Sequence, residues 1–405
     1  MKEKILPIIL GTDANAYGIA RSFYDEYKIK SLALGKVALK ETKNSKIMDT
    51  IIIENLSDKN VFLKTLNNIK ETYKNKDKFI LISCAEWYTD LILENKENLD
   101  GFILPFMNKE LKDKLEDKSS FYEICEKYNL DYPATYNITY ENKNNINIPF
   151  DFPVALKPAS STEYSKVNFP LKEKSYKLYN IEEVKEIVDA IYSTTYRKNI
   201  IIQDFIPGND DSMWVMNCYS NKEGKVKMMC LGQCILEEHT PYGIGNYKAI
   251  ISKGNNELYQ KIKSFLEEIH YIGFSNFDLK YDYRDKKYKL FEINIRQGRS
   301  SYFSTACGCN LAKCLVDDYV LNLDKDVLYN TNKHLWLAVP IGVLKKYTSK
   351  KSLEEALKLI KEKKYSYTLK NKNDNSLYRL FWTNRIYFKD YKRYKMYPPE
   401  AENER

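Results

Sequence analysis

Two acids and an amide have the types and spacing to do chemistry. Asp278 closes the run Gly273-Phe274-Ser275-Asn276-Phe277-Asp278, and Glu292 and Asn294 lie in Leu290-Phe291-Glu292-Ile293-Asn294-Ile295-Arg296. Side chains alternate between faces along a strand, so Asn276, Asp278 and Lys280 share one face, as do Glu292, Asn294 and Arg296. Tyr283-Arg284-Asp285-Lys286-Lys287 reads as a hairpin loop, and a turn centred on Asp285 sets Asp278 opposite Glu292. Oxygen donors of this kind suit a hard cation, and Mg²⁺ beside a nucleotide phosphate is the commonest use of such a set. The competing reading of the same residues is an amphipathic hairpin with a solvated polar face.

Such a hairpin needs elements to position it. Ile5 to Leu10 reads as a buried strand ending at Gly11, followed by a helix with Asp13 as cap and Ala16, Ile19, Ala20, Phe23 and Tyr27 on one face. Phe62, Leu66, Ile69 and Tyr73 mark a second helix, and Lys78 to Cys84 another strand. This alternation predicts a small parallel α/β domain. Ser120 and Glu123 form a candidate capping box ahead of Phe121, Ile124, Cys125 and Tyr128. Strands follow at Val154–Pro158, which carries Lys157, and at Ile200–Gln203, which runs into a turn enforced by Pro207 and Gly208. Leu258, Ile262, Phe265, Leu266 and Ile269 predict the helix that leads into the hairpin.

Bulk properties narrow the class. The 405 residues are enough for two or three domains at roughly 150 residues each. A net charge of +9, spread along the chain, favours anionic ligands such as nucleotides without specifying nucleic acid. The apolar start is short and broken by Pro7, and no stretch reaches about 18 apolar residues, so a cytoplasmic protein is expected. Cys307, Cys309 and Cys314 cluster in sequence, but neither a Cys-x-x-Cys pair nor a histidine follows at zinc spacing. There is no Gly-x-x-x-x-Gly-Lys-Ser/Thr loop, and the Gly11–Gly18 turn lacks the full dinucleotide fingerprint. With only His239, His270 and His334, a histidine-based triad has little material. His239, in Glu237-Glu238-His239-Thr240, lies near a substrate or in an ordinary loop.

The ordered set Lys118, Val154-Ala155-Leu156-Lys157-Pro158, Gln203-Asp204-Phe205-Ile206-Pro207-Gly208, Asp278 and Glu292-Ile293-Asn294-Ile295-Arg296 resembles the ATP-grasp ligases. Leu6-Pro7-Ile8-Ile9-Leu10-Gly11, Ala20-Arg21-Ser22-Phe23, Ser120-Phe121-Tyr122-Glu123-Ile124-Cys125 and Arg296-Gln297-Gly298-Arg299-Ser300-Ser301-Tyr302 narrow the resemblance to the D-aspartate ligases of peptidoglycan synthesis, over roughly Ile5 to Val320. It implies a mixed α/β and α+β chain, an ATP-grasp fold behind a Rossmann-like pre-ATP-grasp domain. The expected boundaries are residues 1–117 for that N-terminal domain, 118–205 and 206–325 for the small and large ATP-grasp subdomains, and 326–405 for a basic, Tyr-rich extension.

The resemblance also implies roles. Lys118 and Lys157 contact nucleotide phosphates. Gln203, Asp204, Phe205 and Ile206 form the hinge whose backbone edge holds adenine. Asp210 binds ribose, with Asp211 as rival. Ser160, Ser161 and Thr162 lie over the phosphates. Asp278, Glu292 and Asn294 hold Mg²⁺, and Arg296 stabilises the transferring group. Arg299 and Ser300 hold the amino acid's other carboxylate, although a surface salt bridge is an equal reading for Arg299. The implied substrates are ATP, D-aspartate activated at its side chain as an acyl phosphate, and the stem-peptide lysine amine of UDP-MurNAc-pentapeptide. No nucleic-acid partner is expected, and the cationic tail leaves room for weak peripheral membrane association. Ala85-Glu86 stands where the aspartate ligases have a Gly-Asp pair, which keeps a different amino acid or acceptor open, and the basic, Tyr-rich tail keeps open a non-catalytic ATP-binding module.

Overall fold

The computed structural model describes residues 4–241 and 243–399, with Ser161 and Thr162 described only in their backbone. The side chains of those two, expected over the phosphates, lie outside the described residues. Two compact units are present. One takes the chain to Lys109, then Asp210–Phe277, then the chain from Asn294; the other takes Glu110–Asn209 and Asp278–Ile293.

In the first unit a five-stranded parallel sheet runs in the order Met48–Ile52, Ser31–Gly35, Ile5–Leu10, Lys78–Ser83, Phe102–Ile103. Every residue of Ile5–Leu10 is buried, as a central parallel strand covered on both faces requires. Asp13 caps the helix Ala14–Tyr27 by accepting from the N–H groups of Asn15 and Ala16. The turn between them needs Gly11: its φ is 145°, and a Cβ there would sit 2.7 Å from Cys84 Cβ. A second sheet sets Met213–Ser220, Val226–Glu237, Tyr247–Ser252, Leu335–Leu337 and Tyr365–Tyr367 side by side. Its core is continuous with that of the helix Ala14–Tyr27 and the C-terminal helix Leu377–Met396.

The tail is therefore part of the fold. Arg379, Thr383, Tyr387, Asp390 and Tyr394 are the buried face of Leu377–Met396. Just before it, the buried Asp374 accepts hydrogen bonds from Tyr17 Oη at 2.8 Å, Ser45 Oγ at 2.7 Å and the Lys46 N–H at 2.8 Å, with Arg379 Nε 3.2 Å away. No helix among the described residues is long and apolar enough to cross a membrane.

The second unit holds a four-stranded antiparallel sheet, ordered Thr135–Ile138, Ile200–Asp204, Val154–Pro158, Tyr176–Leu178. Helix Ile181–Tyr192 covers it with Val184, Ile187, Val188 and Ile191, each worth roughly 1.5–3 kcal/mol by burial. One local expectation is corrected. Asp117, not Ser120, caps the helix Lys118–Lys127: the Ser120 N–H donates to Asp117 at 3.0 Å, so Ser120 is already inside the first turn. The polar run after Pro158 is a short helix, Ser161–Ser165, capped by Ser160.

The hairpin forms as Gly273–Asp282 and Lys287–Asn294. Its polar face is only partly withdrawn from water, with Asp278, Glu292 and Asn294 half-buried. Asn276, Lys280 and Asp282 are 4%, 8% and 2% exposed, which leaves the site reading of these residues standing.

Candidate functional site

In the second unit Lys118 opens its helix with Nζ 2.8 Å from a Glu292 oxygen. Tyr122, one turn on, donates its hydroxyl to the Phe291 carbonyl at 2.7 Å and fixes the helix against the hairpin strand. Burial opposes the Lys118 charge, but Glu292 and then Asp278 outweigh it, so its pKa is raised. Glu292 is pulled down to about 2, first by the charge of Lys118, against the penalty of burial. It is therefore a carboxylate throughout the neutral range. Lys157 lies beside this pair, with Nζ 4.7 Å from the Phe291 ring centroid. Its pKa falls to about 8, chiefly through desolvation and then through repulsion by Lys118, while Glu292 and Asp278 pull the other way.

Lys118, Lys157, Asp278 and Glu292 thus form one electrostatic group in this unit. Lys174, which the sequence reading did not single out, adds a third cation acting on Glu292 and Lys157. The donors fit a hard divalent cation, because Glu292 is ionised and all the candidate ligands are oxygens. Two lysines at the same place supply charge for phosphate oxygens.

The hinge is partly used by the fold. Gln203 pairs with Thr135 on one side and Ala155 on the other, its side chain donates to Thr135 Oγ1 at 3.1 Å, and the Asp204 N–H donates to the Ala134 carbonyl. The Phe205 N–H reaches the Pro153 carbonyl at 3.4 Å. Ile206, by contrast, makes no backbone hydrogen bond among the described residues. Its N–H and carbonyl are thus main-chain groups of the segment that the fold leaves unused among the described residues. The Asp204 carboxylate is held by Arg284, which also grips Asp282 at 2.7 Å. A cavity of about 330 Å³ abuts this end of the hinge, lined by Asp204, Ile206, Arg284 and the Tyr132–Thr135 segment.

In the first unit a relay of polar side chains orients Asn294. Asn217 Nδ2 donates to Ser304 Oγ at 2.7 Å, Asn276 Nδ2 to Asn217 Oδ1 at 2.7 Å, and Asn294 Nδ2 to Asn276 Oδ1 at 3.2 Å. The other amide atom, Asn294 Oδ1, accepts from Arg296 Nη2 at 3.5 Å, which ties the relay to the arginine. Gly298 is needed beside this relay, since a Cβ there would lie 3.1 Å from Asn276 Oδ1.

Arg296 forms an ion pair with Glu86 and donates to the Gln297 carbonyl at 3.1 Å. Glu86 starts the helix after strand Lys78–Ser83. Asn15, after strand Ile5–Leu10, donates to the same Gln297 carbonyl at 2.8 Å. The carboxyl ends of the parallel sheet therefore meet the Arg296–Gln297 loop, the edge where α/β sheets receive ligands. The Gln297 side chain is buried with neither amide atom hydrogen-bonded. Arg299 is exposed and has no partner among the described residues, and Ser300 is buried next to it.

The rival acids separate cleanly. Asp211 accepts from Ser349 and Ser352 at the start of helix Lys350–Lys361 and is engaged there. Asp210 accepts from the Glu237 N–H and pairs with His239 Nε2, both at 2.9 Å. Glu86, Gln297 and Asn217 escaped the roles assigned from sequence, because their partners lie many residues away. Only the departure at Ala85-Glu86 signalled one of them. The thiols regroup as well: Cys230 joins Cys307 and Cys309, with the Cys230 and Cys307 sulfurs 3.4 Å apart, and Cys314 stands outside the cluster.

No protein-family model matches the chain. It is 41% identical over 408 residues to the D-aspartate ligase of Enterococcus faecium (strain Aus0004), covering 98% of this chain and 97% of that protein. Among solved structures, an L-amino acid ligase from Bacillus licheniformis aligns with a TM-score of 0.54 at 14% identity, over 78% of this chain and 74% of the other. The biotin carboxylase domain of the Hydrogenobacter thermophilus 2-oxoglutarate carboxylase, solved with ADP and MgADP, aligns with a TM-score of 0.56 at 12% identity, over 80% and 71%. At these identities the two structures speak for the fold.

Proposed function

We propose, for a chain that belongs to the D-aspartate ligase family of ATP-grasp carboxylate–amine ligases, that this ATP-dependent amino-acid ligase joins D-aspartate to the stem-peptide lysine of UDP-MurNAc-pentapeptide. The observation that carries the reading is the group of Lys118, Lys157, Asp278 and Glu292, two cations and two acids held together in the second unit. In the proposed reaction the side-chain carboxylate of D-aspartate attacks the γ-phosphorus of ATP, ADP leaves, and an acyl phosphate forms. The lysine ε-amine then attacks the acyl carbon, loses a proton, and expels phosphate.

Each residue has a role in this proposal. Lys118 and Lys157 hold phosphate oxygens, and Ile206 of the Gln203–Ile206 hinge presents its peptide to adenine. Asp210, oriented by His239, takes the ribose. Arg296, steadied by Glu86, faces the transferring phosphoryl or acyl phosphate charge. Arg299 and Ser300 hold the second carboxylate of the amino acid, a task suited to a guanidinium without another partner. Asp278, Glu292 and Asn294 are the residues that would hold Mg²⁺, which when bound neutralises charge on the phosphates. The MgADP reported for the biotin carboxylase domain of this fold supports that assignment.

The test is mass spectrometry of products from purified protein, Mg-ATP, UDP-MurNAc-pentapeptide and a panel of D- and L-amino acids, with phosphate release read in parallel. A product heavier by one dehydrated D-aspartate is expected. The increment of another amino acid would establish the second reading, a relative of altered specificity, which the Glu86–Arg296 pair favours because the acid paired with the arginine is one methylene longer than the aspartate expected there. ATP binding with no turnover on any donor and acceptor would point to a non-catalytic module.

A further inference from the structure

We propose that the outer face of helix Leu377–Met396 docks the protein on an anionic bilayer surface. The inner face is spoken for, since Arg379, Thr383, Tyr387, Asp390 and Tyr394 recur at three- or four-residue spacing and are buried. The opposite face is apolar where solvent should favour polar groups. Leu377 is 87% exposed, Phe381 59% and Phe388 71%, and they fall on the side away from Arg379 and Tyr387. Large exposed apolar side chains in a row mark an interaction surface rather than ordinary scatter.

Charge decides what covers it. The only acid in the helix, Asp390, is 2% exposed and belongs to the inner face. Arg385, Lys389, Lys392 and Lys395 are exposed, and none makes an ion pair among the described residues. Lys40 adds a further exposed cation, 4.0 Å over the Trp382 ring. An apolar ridge flanked by unpaired cations matches a layer of anionic headgroups above acyl chains: the phenylalanines enter the boundary and the lysines stay with the phosphates. A second copy of the chain fits worse, because a two-fold contact would press these cations against themselves. Single-stranded nucleic acid would use the charges and rings but leave Leu377 unexplained. This inference does not depend on which amino acid is ligated.

The experiment is co-sedimentation of the full chain with phosphatidylglycerol vesicles and with phosphatidylcholine vesicles, at low and physiological salt. Binding to the anionic vesicles is expected, weakening with salt. The double variant Phe381→Ser/Phe388→Ser should bind at least about tenfold more weakly, and Lys389→Glu about fivefold. Ligase turnover with soluble substrates and thermal melting should stay unchanged in both, since the altered side chains point into solvent. Absence of binding to phosphatidylglycerol, or binding that survives both variants, overturns the proposal. So does a dimer in sedimentation that the double variant abolishes, or an oligonucleotide bound in preference to vesicles.

Discussion

Lys118 Nζ stands 2.8 Å from Glu292, joining the first residue of a helix to a hairpin strand 174 residues further on. The ion pair keeps a carboxylate deprotonated at the place proposed for the cation. Because the folded pKa of Glu292 lies below its ordinary 4.5, its contribution to stability is present above that value and fades as pH falls towards about 2. Glu292→Gln should lower ligase turnover by about two to three orders of magnitude. The fold should persist, and the variant's acid unfolding should be less steep in that window. Wild-type turnover in the variant would remove Glu292 from the machinery.

Lys157 sets an alkaline limit. Its pKa of about 8 means that the free protein carries the charge below that pH and loses it above. We expect kcat/KM for ATP to decline as pH rises through about 8. In Lys157→Arg the decline should vanish, because a guanidinium stays charged. A limb that persists in this variant belongs to another group. For stability the sign is opposite: the unfolded chain holds the proton longer, so stability gains from this residue as pH rises from about 8 towards 10.5.

Arg299 has no partner to lose among the described residues, so its removal should not disturb the fold. Arg299→Ala should raise KM for the amino acid by about ten- to a hundredfold, the worth of a charged hydrogen bond to a carboxylate, with KM for ATP little changed. Steady-state kinetics with each substrate varied in turn decides this, and equal effects on both constants would place Arg299 elsewhere.

Gln297 is buried with both amide atoms unpaired among the described residues. Such a group costs stability and gains only when a ligand pairs with it. Gln297→Leu should therefore stabilise the ligand-free protein by about 1 kcal/mol while weakening use of the amino acid. Thermal melts and kcat/KM together check it, and a destabilised variant would show that the amide serves the fold.

Asp374 collects Tyr17, Ser45, the Lys46 backbone and Arg379 around one buried carboxylate. Asp374→Ala strands the Arg379 charge and should cost about 3–5 kcal/mol in urea unfolding. A loss within experimental error would mean that water replaces the carboxylate.

Much of the site was legible because its residue types sit on local patterns. The alternation at Asn276–Lys280 and Glu292–Arg296 puts polar groups on one strand face whatever the fold around them. The lysine in Val154–Pro158 and the Pro-Gly turn after Ile206 are equally local. Where local patterns competed, the reading slipped. Ser120–Glu123 resembles a capping box, but Asp117 three residues earlier wins the Ser120 N–H. Strands Ser31–Gly35 and Met48–Ile52 passed unassigned because each is five residues long and their pairing is with distant chain.

The sequence by itself determined the strongly periodic strands and helices, the family and the types of side chain available for phosphate and metal, because periodicity and motif spacing are properties of neighbouring residues. Tertiary structure alone decided that Glu86 meets Arg296, that Asp210 pairs with His239 while Asp211 is taken by Ser349 and Ser352, that Gln297 is buried with its amide unpaired among the described residues, and that the basic end covers the core with one face and bares Phe381 and Phe388 on the other. Those outcomes turn on which distant groups compete for the same hydrogen bond or the same buried surface, and that competition exists only once the chain has closed on itself.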